Sequence, residues 1–482
     1  MTNTEKSITL SSGFYFDYTN MLGEGRIKEQ DFADNQEKVA RAEKNIDQMR
    51  LTGIVPGHLS KDGTPEHVYF SRLPYIKAGN PNTPELIGEL EKFGKDMREH
   101  QDVVIFCGIG GSYLGGKVLY DCYTNAFWER QPDQTGTRMS KVYFSGNNVD
   151  AEQLASLWEQ LLYQAQRMNV CQHYKLRVTL IPISKSGTTL EPTTAFLYFY
   201  DKLVGQPDMF EVNVAMVTDK GNSKGPLNLL AQKYHWPMFD IVEGIGGRFS
   251  VLSTPGLIVA AVLGMNMKKI LQGAEDMDKA CVGADPQKNP ALLNALLKYI
   301  AGEKYHCNIE VMMPYGRCLK SLSEWYVQLL AESLGKRKNR LGEDVFYGRT
   351  PVEAIGTTDM HSQTQLHQDG RRDKVVQFVT VGGKEGQAIL RKPFPEIEVY
   401  AKYAGLDVDK ALGIAQQANE EALTSDNRFN AKYYLPKLDE YFLGQIFFFL
   451  MLSIAYEGEL AEVDAFDQPG VEIYKRIMKT HL

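Results

Sequence analysis

The sequence predicts an α/β protein with two doubly wound parallel-sheet domains, a helical N-terminal layer and a C-terminal helix. Three observations predict it. Val103-Val104-Ile105-Phe106-Cys107 is a buried-strand run that passes through a glycine turn into a helical pattern from Tyr113. Strand-like and helical stretches then alternate as far as Thr218, and a second alternation opens at Asn308. At this spacing such an alternation reads as βαβ units, with parallel strands and helices packed on the faces of the sheet. Length agrees, because 482 residues exceed one ordinary core. The expected division is an N-terminal layer at 1–95, a first sheet domain at 96–250 and a second at 251–482 with the C-terminal helices.

Residues 1–95 carry charged helical patterns at Gln36–Met49 and Thr83–His100, around a Gly/Pro-rich middle at Gly53–Pro81. Nothing in them carries chemistry. After the strand at Val103–Cys107 comes Gly108-Ile109-Gly110-Gly111-Ser112. It is not a dinucleotide fingerprint, because the third glycine is displaced and no acidic residue closes a later strand at the required distance. A ligand loop and a tight turn for close helix–strand packing both fit it. Lys141–Ser145 then reads as a strand, Ala151–Met168 as a helix, Val178–Ile183 as a strand, a helix follows to about Leu203, and Val212–Thr218 is a strand. Ligands of such sheets bind beyond the carboxyl ends of the strands. Two polar turns stand there, Gly108–Ser112 and Ser184–Thr189.

The second turn, Ser184-Lys185-Ser186-Gly187-Thr188-Thr189, has four hydroxyls, a lysine and a glycine between a strand and a helix. The unpaired N–H groups and positive dipole end of a helix start suit an anion, and hydroxyls donate to phosphate. The turn reads as a phosphate cradle, though not a Walker loop. The alternative is an ordinary helix N-cap, where Ser and Thr are common.

Gly244-Ile245-Gly246-Gly247-Arg248-Phe249-Ser250 precedes an apolar helix from Val251 and looks like a junction between domains. Arg248 is either an anion-facing cation in a loop whose glycines let the backbone approach a ligand, or a surface residue. In the second alternation, Asn308–Met313 is a strand, Ser321–Leu334 a helix and Val375–Val381 a strand. Trp325, Leu329, Leu330 and Leu334 line one face of that helix, and Glu332 lies at its boundary. Glu332 either does chemistry or pairs with Lys336 on the helix surface. Gly356-Thr357-Thr358-Asp359-Met360-His361-Ser362-Gln363 is a polar turn with His361 in it and His367 just after. Their six-residue separation matches no common zinc motif, so no metal is expected. Phe466-Asp467-Gln468-Pro469-Gly470-Val471-Glu472 leads into a last helix carrying Lys475.

The formal net charge of −7, with both signs interspersed, argues against nucleic acid as the main partner. The six cysteines form no CxxC pair, which suits a reduced, cytoplasmic protein. The N-terminus has no apolar core of a signal peptide. Val251–Met267 is broken by Pro255 and Gly256. Phe442–Tyr456 is short and holds Gly444 and Gln445. Neither reaches the roughly 20 clean residues of a membrane span, so both read as core helices.

Six stretches together resemble the phosphoglucose (glucose-6-phosphate) isomerase family. They are GIGGSYLG at 108–115, SKSGTTLE at 184–191, GGRFS at 246–250, AESLGK at 331–336, GTTDMH at 356–361 and FDQPGVEIYK at 466–475. They keep the family's order. The resemblance implies two sugar-isomerase (SIS-type) domains and interconversion of glucose 6-phosphate and fructose 6-phosphate, with neither metal nor other cofactor. It implies that Glu332 moves the proton between C1 and C2, that Arg248 stabilises the enediolate, and that His361 with Lys475 opens the sugar ring. Ser184, Lys185, Ser186, Thr188 and Thr189 then hold the phosphate, and Gly111, Ser112, Gln328 and Gln468 contact the sugar. A homodimer is implied as well, with His361 lent across the interface. Pro469 stands where the family usually has tryptophan, and Tyr474 where it usually has glycine. A non-catalytic phosphosugar sensor on the same domains needs the cradle, but not Glu332, Arg248, His361 and Lys475 together.

Overall fold

A computed structural model describes residues 6–60, 62–127, 140–172, 174–383, 388–392 and 394–481. The chain divides into two compact units, Glu66–Gln272 and the combination of Met1–Pro65 with Gly273–Leu482.

Glu66–Gln272 is built on a four-stranded parallel sheet in the order Lys141–Ser145, Val103–Cys107, Leu176–Pro182, Phe210–Val214. Register places Cys107 between Ser145 and Pro182. From Val103–Cys107 the chain winds to one side, then returns to the other. The connections therefore reverse between Val103–Cys107 and Leu176–Pro182, the switch point at which open α/β sheets bind ligands. One face of the sheet, including Ile105 and Leu180, packs on Leu161 and Phe199 from helices Ala151–Gln172 and Leu190–Val204.

Two details differ from the sequence pattern. The run Val212–Thr218 is not one strand: Phe210–Val214 belongs to the sheet, while Met216–Thr218 pairs with Met238–Asp240. The helix expected from Val251 begins at Thr254, after a 3-10 turn at Gly247–Leu252 and an extended Ser253. Pro255 explains the late start. Its ring is tolerated in the first turn of a helix, where no N–H is required, and not further in.

The second unit has a six-stranded sheet in the order Ser7–Thr9, Tyr15–Asp17, Asn430–Leu435, Lys374–Val381, Ile309–Pro314, Thr350–Glu353. The last four are mutually parallel, and the N-terminal hairpin adds antiparallel at one edge. Its switch point lies between Ile309–Pro314 and Lys374–Val381, so this sheet is doubly wound like the other. Helix Glu440–Leu460 is long and apolar enough to cross a membrane, yet its apolar window is 94 % buried inside the protein. It is a core helix, packed on Pro290–Glu303, Gln36–Thr52 and Lys320–Leu334. Asp439 caps its start by accepting from Phe442 N at 3.1 Å.

These units divide the chain elsewhere than sequence texture does. The strands at Ser7–Thr9 and Tyr15–Asp17 complete the sheet of the C-terminal region, and helix Gln36–Thr52 packs on its core helix. Helix Pro84–His100 instead packs on Thr254–Leu263. The N-terminal layer is thus shared between the units, and the GGRFS stretch lies inside one of them instead of at a junction.

One buried charged group belongs to the second unit. The Glu310 carboxylate accepts from Lys298, from Tyr326 (2.9 Å) and from Arg349 Nε (3.1 Å) and Nη2 (2.8 Å). Arg349 also donates to Glu457, which accepts from Tyr347 at 2.6 Å. Two cations meet two anions here, all four buried.

Candidate active site

The SKSGTT turn leaves the end of Leu176–Pro182, and its hydroxyls are organised among themselves. Ser184 is buried; its Oγ accepts from Gly187 N at 3.1 Å and lies 3.3 Å from Thr189 Oγ1. Ser186 Oγ accepts from the amide and hydroxyl of Thr188, at 3.2 and 3.1 Å. Gly187 has φ +67°, a conformation that side chains other than glycine's seldom adopt. Thr189 stands at the N-cap of Leu190–Val204 but makes no side-chain capping bond. The simple capping alternative is therefore not realised. Lys185, Ser186 and Thr188 are exposed beside the helix start, an arrangement suited to an anion.

The glycine turn leaves the neighbouring strand end, with Gly110–Ser112 as a 3-10 turn. A Cβ on Gly111 would lie 2.0 Å from Gly247 O. Only glycine permits this approach, which brings the GIGGS turn against the GGRFS stretch. Ser250 Oγ fastens the two by donating to Gly111 O (3.1 Å) and Gly247 O (2.6 Å). Arg248 is not the surface residue of the alternative reading: it is only 1 % exposed, with its guanidinium carbon 5.6 Å from the Phe249 ring centre. Within this unit the structure thus groups Gly111, Ser112 and Arg248 on one pair of packed turns, with the SKSGTT turn on the adjacent strand end.

In the other unit, Glu332 lies in the last turn of helix Lys320–Leu334, whose apolar face is buried at Trp325, Leu329, Leu330 and Leu334. Glu332 Oε1 accepts from Gln328 Nε2 at 3.1 Å, one turn earlier. Gln328 Oε1 is buried and accepts no hydrogen bond. A buried acceptor of this kind is costly until a donor reaches it. Lys336 is buried and turns to main-chain oxygen, donating to Glu332 O (2.7 Å) and to Asp467 O (2.6 Å). The stretch holding Gln468 is thereby tied to the helix end that holds Glu332.

His361 is exposed, just after the 3-10 turn Thr358–Met360. That turn is held by Asp359, which accepts from Ile355 N and from Ser362 Oγ, each at 2.7 Å. His367 is a different case: it is buried, and burial followed by the nearby Lys374 pushes it down to about 4. It is a neutral core histidine. Among the described residues no three His, Cys, Asp or Glu converge as a metal site needs. Gln468 is the N-cap of helix Pro469–Lys479, and Pro469 occupies the first turn, a position that favours proline. Lys475 is half-exposed and paired to Glu472 at 3.0 Å.

The sequence profile of the phosphoglucose isomerase family matches residues 87–481. The chain belongs to that family. Among its relatives, a glucose-6-phosphate isomerase of Carboxydothermus hydrogenoformans is 34 % identical over 84 % of this chain and 83 % of its own. One of Methanocaldococcus jannaschii is 29 % identical over 96 % of this chain and 98 % of its own. A hypothetical protein of Thermus thermophilus superposes with a TM-score of 0.71 at 26 % identity, over 95 % of this chain and 99 % of that one. A glucose-6-phosphate isomerase crystal structure from Chlamydia trachomatis shares the fold, with a TM-score of 0.76 at 20 % identity over 98 % of this chain and 89 % of that one.

Two supporting residues of this phosphoglucose isomerase fold escape a motif reading. Thr218 Oγ1 donates to Ser184 O at 2.8 Å and anchors the SKSGTT turn from the next strand. Ser250 is inside a recognised stretch but reads there only as a loop residue. A hydroxyl at a strand carboxyl end, or one turn past a glycine pair, is the signal that finds both.

Proposed function

We propose that this protein interconverts glucose 6-phosphate and fructose 6-phosphate by proton transfer through an enediolate. The observation that carries the reading is the family match across all six motifs, which holds both the hydroxyl turn at a switch point and the carboxylate fixed by Gln328. Ser184, Lys185, Ser186, Thr188 and Thr189 hold the phosphate. Glu332 removes the proton from C2 of the open aldose and returns it to C1, and the reverse reaction uses the same atoms. Arg248 receives the negative charge that develops on the oxygens, and its burial makes that charge–charge interaction stronger than it is in water. His361 and Lys475 serve ring opening, while Gly111, Ser112, Gln328 and Gln468 orient the sugar. A proton and not a hydride moves, so the chemistry calls for no nicotinamide. The protein is proposed to work in a reducing cytoplasm, which the buried free thiols of Cys107 and Cys281 suit.

The test is a coupled assay of fructose 6-phosphate conversion by the purified chain, with and without chelator. Turnover in both is expected. Loss in chelator that a divalent ion restores overturns the metal-free mechanism. Tight sugar-phosphate binding without turnover makes the chain a sensor instead.

Ser184→Ala removes one hydrogen bond to a charged group, about 1.5–3 kcal/mol. KM is expected to rise about tenfold or more with a smaller change in kcat, because the phosphate contact is equal in ground and transition states. A constant KM with a collapsed kcat locates the phosphate elsewhere.

The active unit is proposed to be a homodimer, in which His361 serves the partner's site. Its exposure, and that of the neighbouring Leu366, support this. Mixing inactive Glu332→Gln subunits with inactive His361→Ala subunits then restores part of the activity, since one site of each mixed dimer carries neither defect. Mixtures that exchange subunits yet stay inactive place His361 in its own chain's site.

A further inference from the structure

We infer that Lys336 is a positioning residue for the isomerisation, setting Glu332 and Gln468 in register through one buried ammonium. The inference rests on the role proposed for Glu332. Lys336 is 6 % exposed, and its Nζ has three oxygens in reach: Glu332 O at 2.7 Å, Asp467 O at 2.6 Å and Asp467 Oδ1 at 3.0 Å. The carbonyl of Glu332 belongs to the last turn of its helix, where carbonyls lack intrahelical partners and the dipole is negative. A cation there holds down the turn from which the Glu332 side chain projects. The other two oxygens belong to the residue immediately before Gln468.

The far side of this clamp is fixed too. Asp464 Oδ2 lies 2.9 Å from Nδ1 of the buried His58, and its Oδ1 accepts from Phe466 N at 2.9 Å. The chain from Asp464 to Asp467 is thus pinned at both ends, with Lys336 the pin nearest to Glu332. A base that must meet a C–H bond tolerates little misplacement, since an error near 1 Å can cost about a hundredfold in rate. Through its bonds to the main-chain oxygens of Glu332 and Asp467, Lys336 governs the position of both stretches.

Three variants test this, each assayed for kcat, KM, C2 proton exchange and thermal midpoint. Lys336→Met removes the ammonium and keeps the stem; kcat and exchange are expected to fall 10- to 100-fold together, with KM within about threefold of the parent. Lys336→Arg keeps a cation and is expected to recover at least a third of the lost kcat. Glu332→Gln is the control for the underlying role. Parental kcat in a folded Lys336→Met enzyme, with Glu332→Gln inactive, overturns the inference and leaves the base assignment standing. Parental exchange in Glu332→Gln overturns the base assignment itself. If Lys336→Met does not fold, the arginine variant decides: parental kcat supports the clamp's need for charge, and a folded arginine variant no better than 1 % active overturns it.

Discussion

Glu332→Gln is expected to lower kcat by about 10²–10⁴, the range typical of general-base loss, while phosphate binding persists. Glutamine keeps the shape and can still bond to Gln328, but it cannot accept a proton. The surface-pairing alternative for Glu332 predicts a change of only a few tenths of a kcal/mol in stability and full turnover. That alternative places Lys336 on the helix surface, whereas Lys336 is buried and bonds the main chain of Glu332 and Asp467. The deciding measurement is exchange of the C2 proton of glucose 6-phosphate with deuterated solvent. Exchange at the parent rate in Glu332→Gln would falsify the assignment. Arg248→Ala is expected to reduce the same exchange, since the enediolate then forms without its preorganised cation.

Much of this was legible in the sequence because it lay in uninterrupted local patterns. Val103–Cys107 is a continuous apolar run, and Lys141–Ser145 and Lys374–Val381 are largely apolar and largely buried, as expected for strands covered on both faces. Three of the strands that escaped are of another kind. Thr350–Glu353 is four residues with Pro351 inside it, and Ser7–Thr9 and Tyr15–Asp17 are the three-residue strands of the hairpin at the other edge. The hairpin is seated on the sheet by a partner hundreds of residues away, with Tyr433 opposite Phe16. The division of the chain was hidden for the same reason. At the site, residue types suggested a cradle and a carboxylate, but could not show the burial of Arg248 or the main-chain bonds of Lys336, which depend on packing between distant turns.

Glu310→Gln is expected to destabilise the protein by about 3–5 kcal/mol, the usual cost of breaking a buried ion pair by removing one partner. It leaves Lys298 and Arg349 buried against Glu457 alone. Burial by itself raises the Glu310 carboxyl, but Lys298 and Arg349 outweigh it and hold the group at about 2. Lys298 behaves differently: burial lowers it first, and Arg349 adds to that, against the attraction of Glu310. The stable state is therefore a shared network with the anion firmly charged, not two independent pairs. Charge balance gives the sharper test. Lys298→Met leaves two anions facing one cation, and Glu310→Gln leaves two cations facing one anion, whereas the double variant restores one of each. The double variant is expected to lose clearly less than the sum of the single losses, a coupling measured by the urea midpoints of all four proteins. The pH dependence has a definite sign. A carboxyl held below its ordinary value of 4.5 contributes stability that is complete above about 4.5 and is lost as pH falls towards about 2. The stability gap between the parent and Glu310→Gln is therefore widest near neutrality and narrows through that acid window. Additive single losses, or a gap that stays constant into acid, would show that the four side chains are not one electrostatic unit.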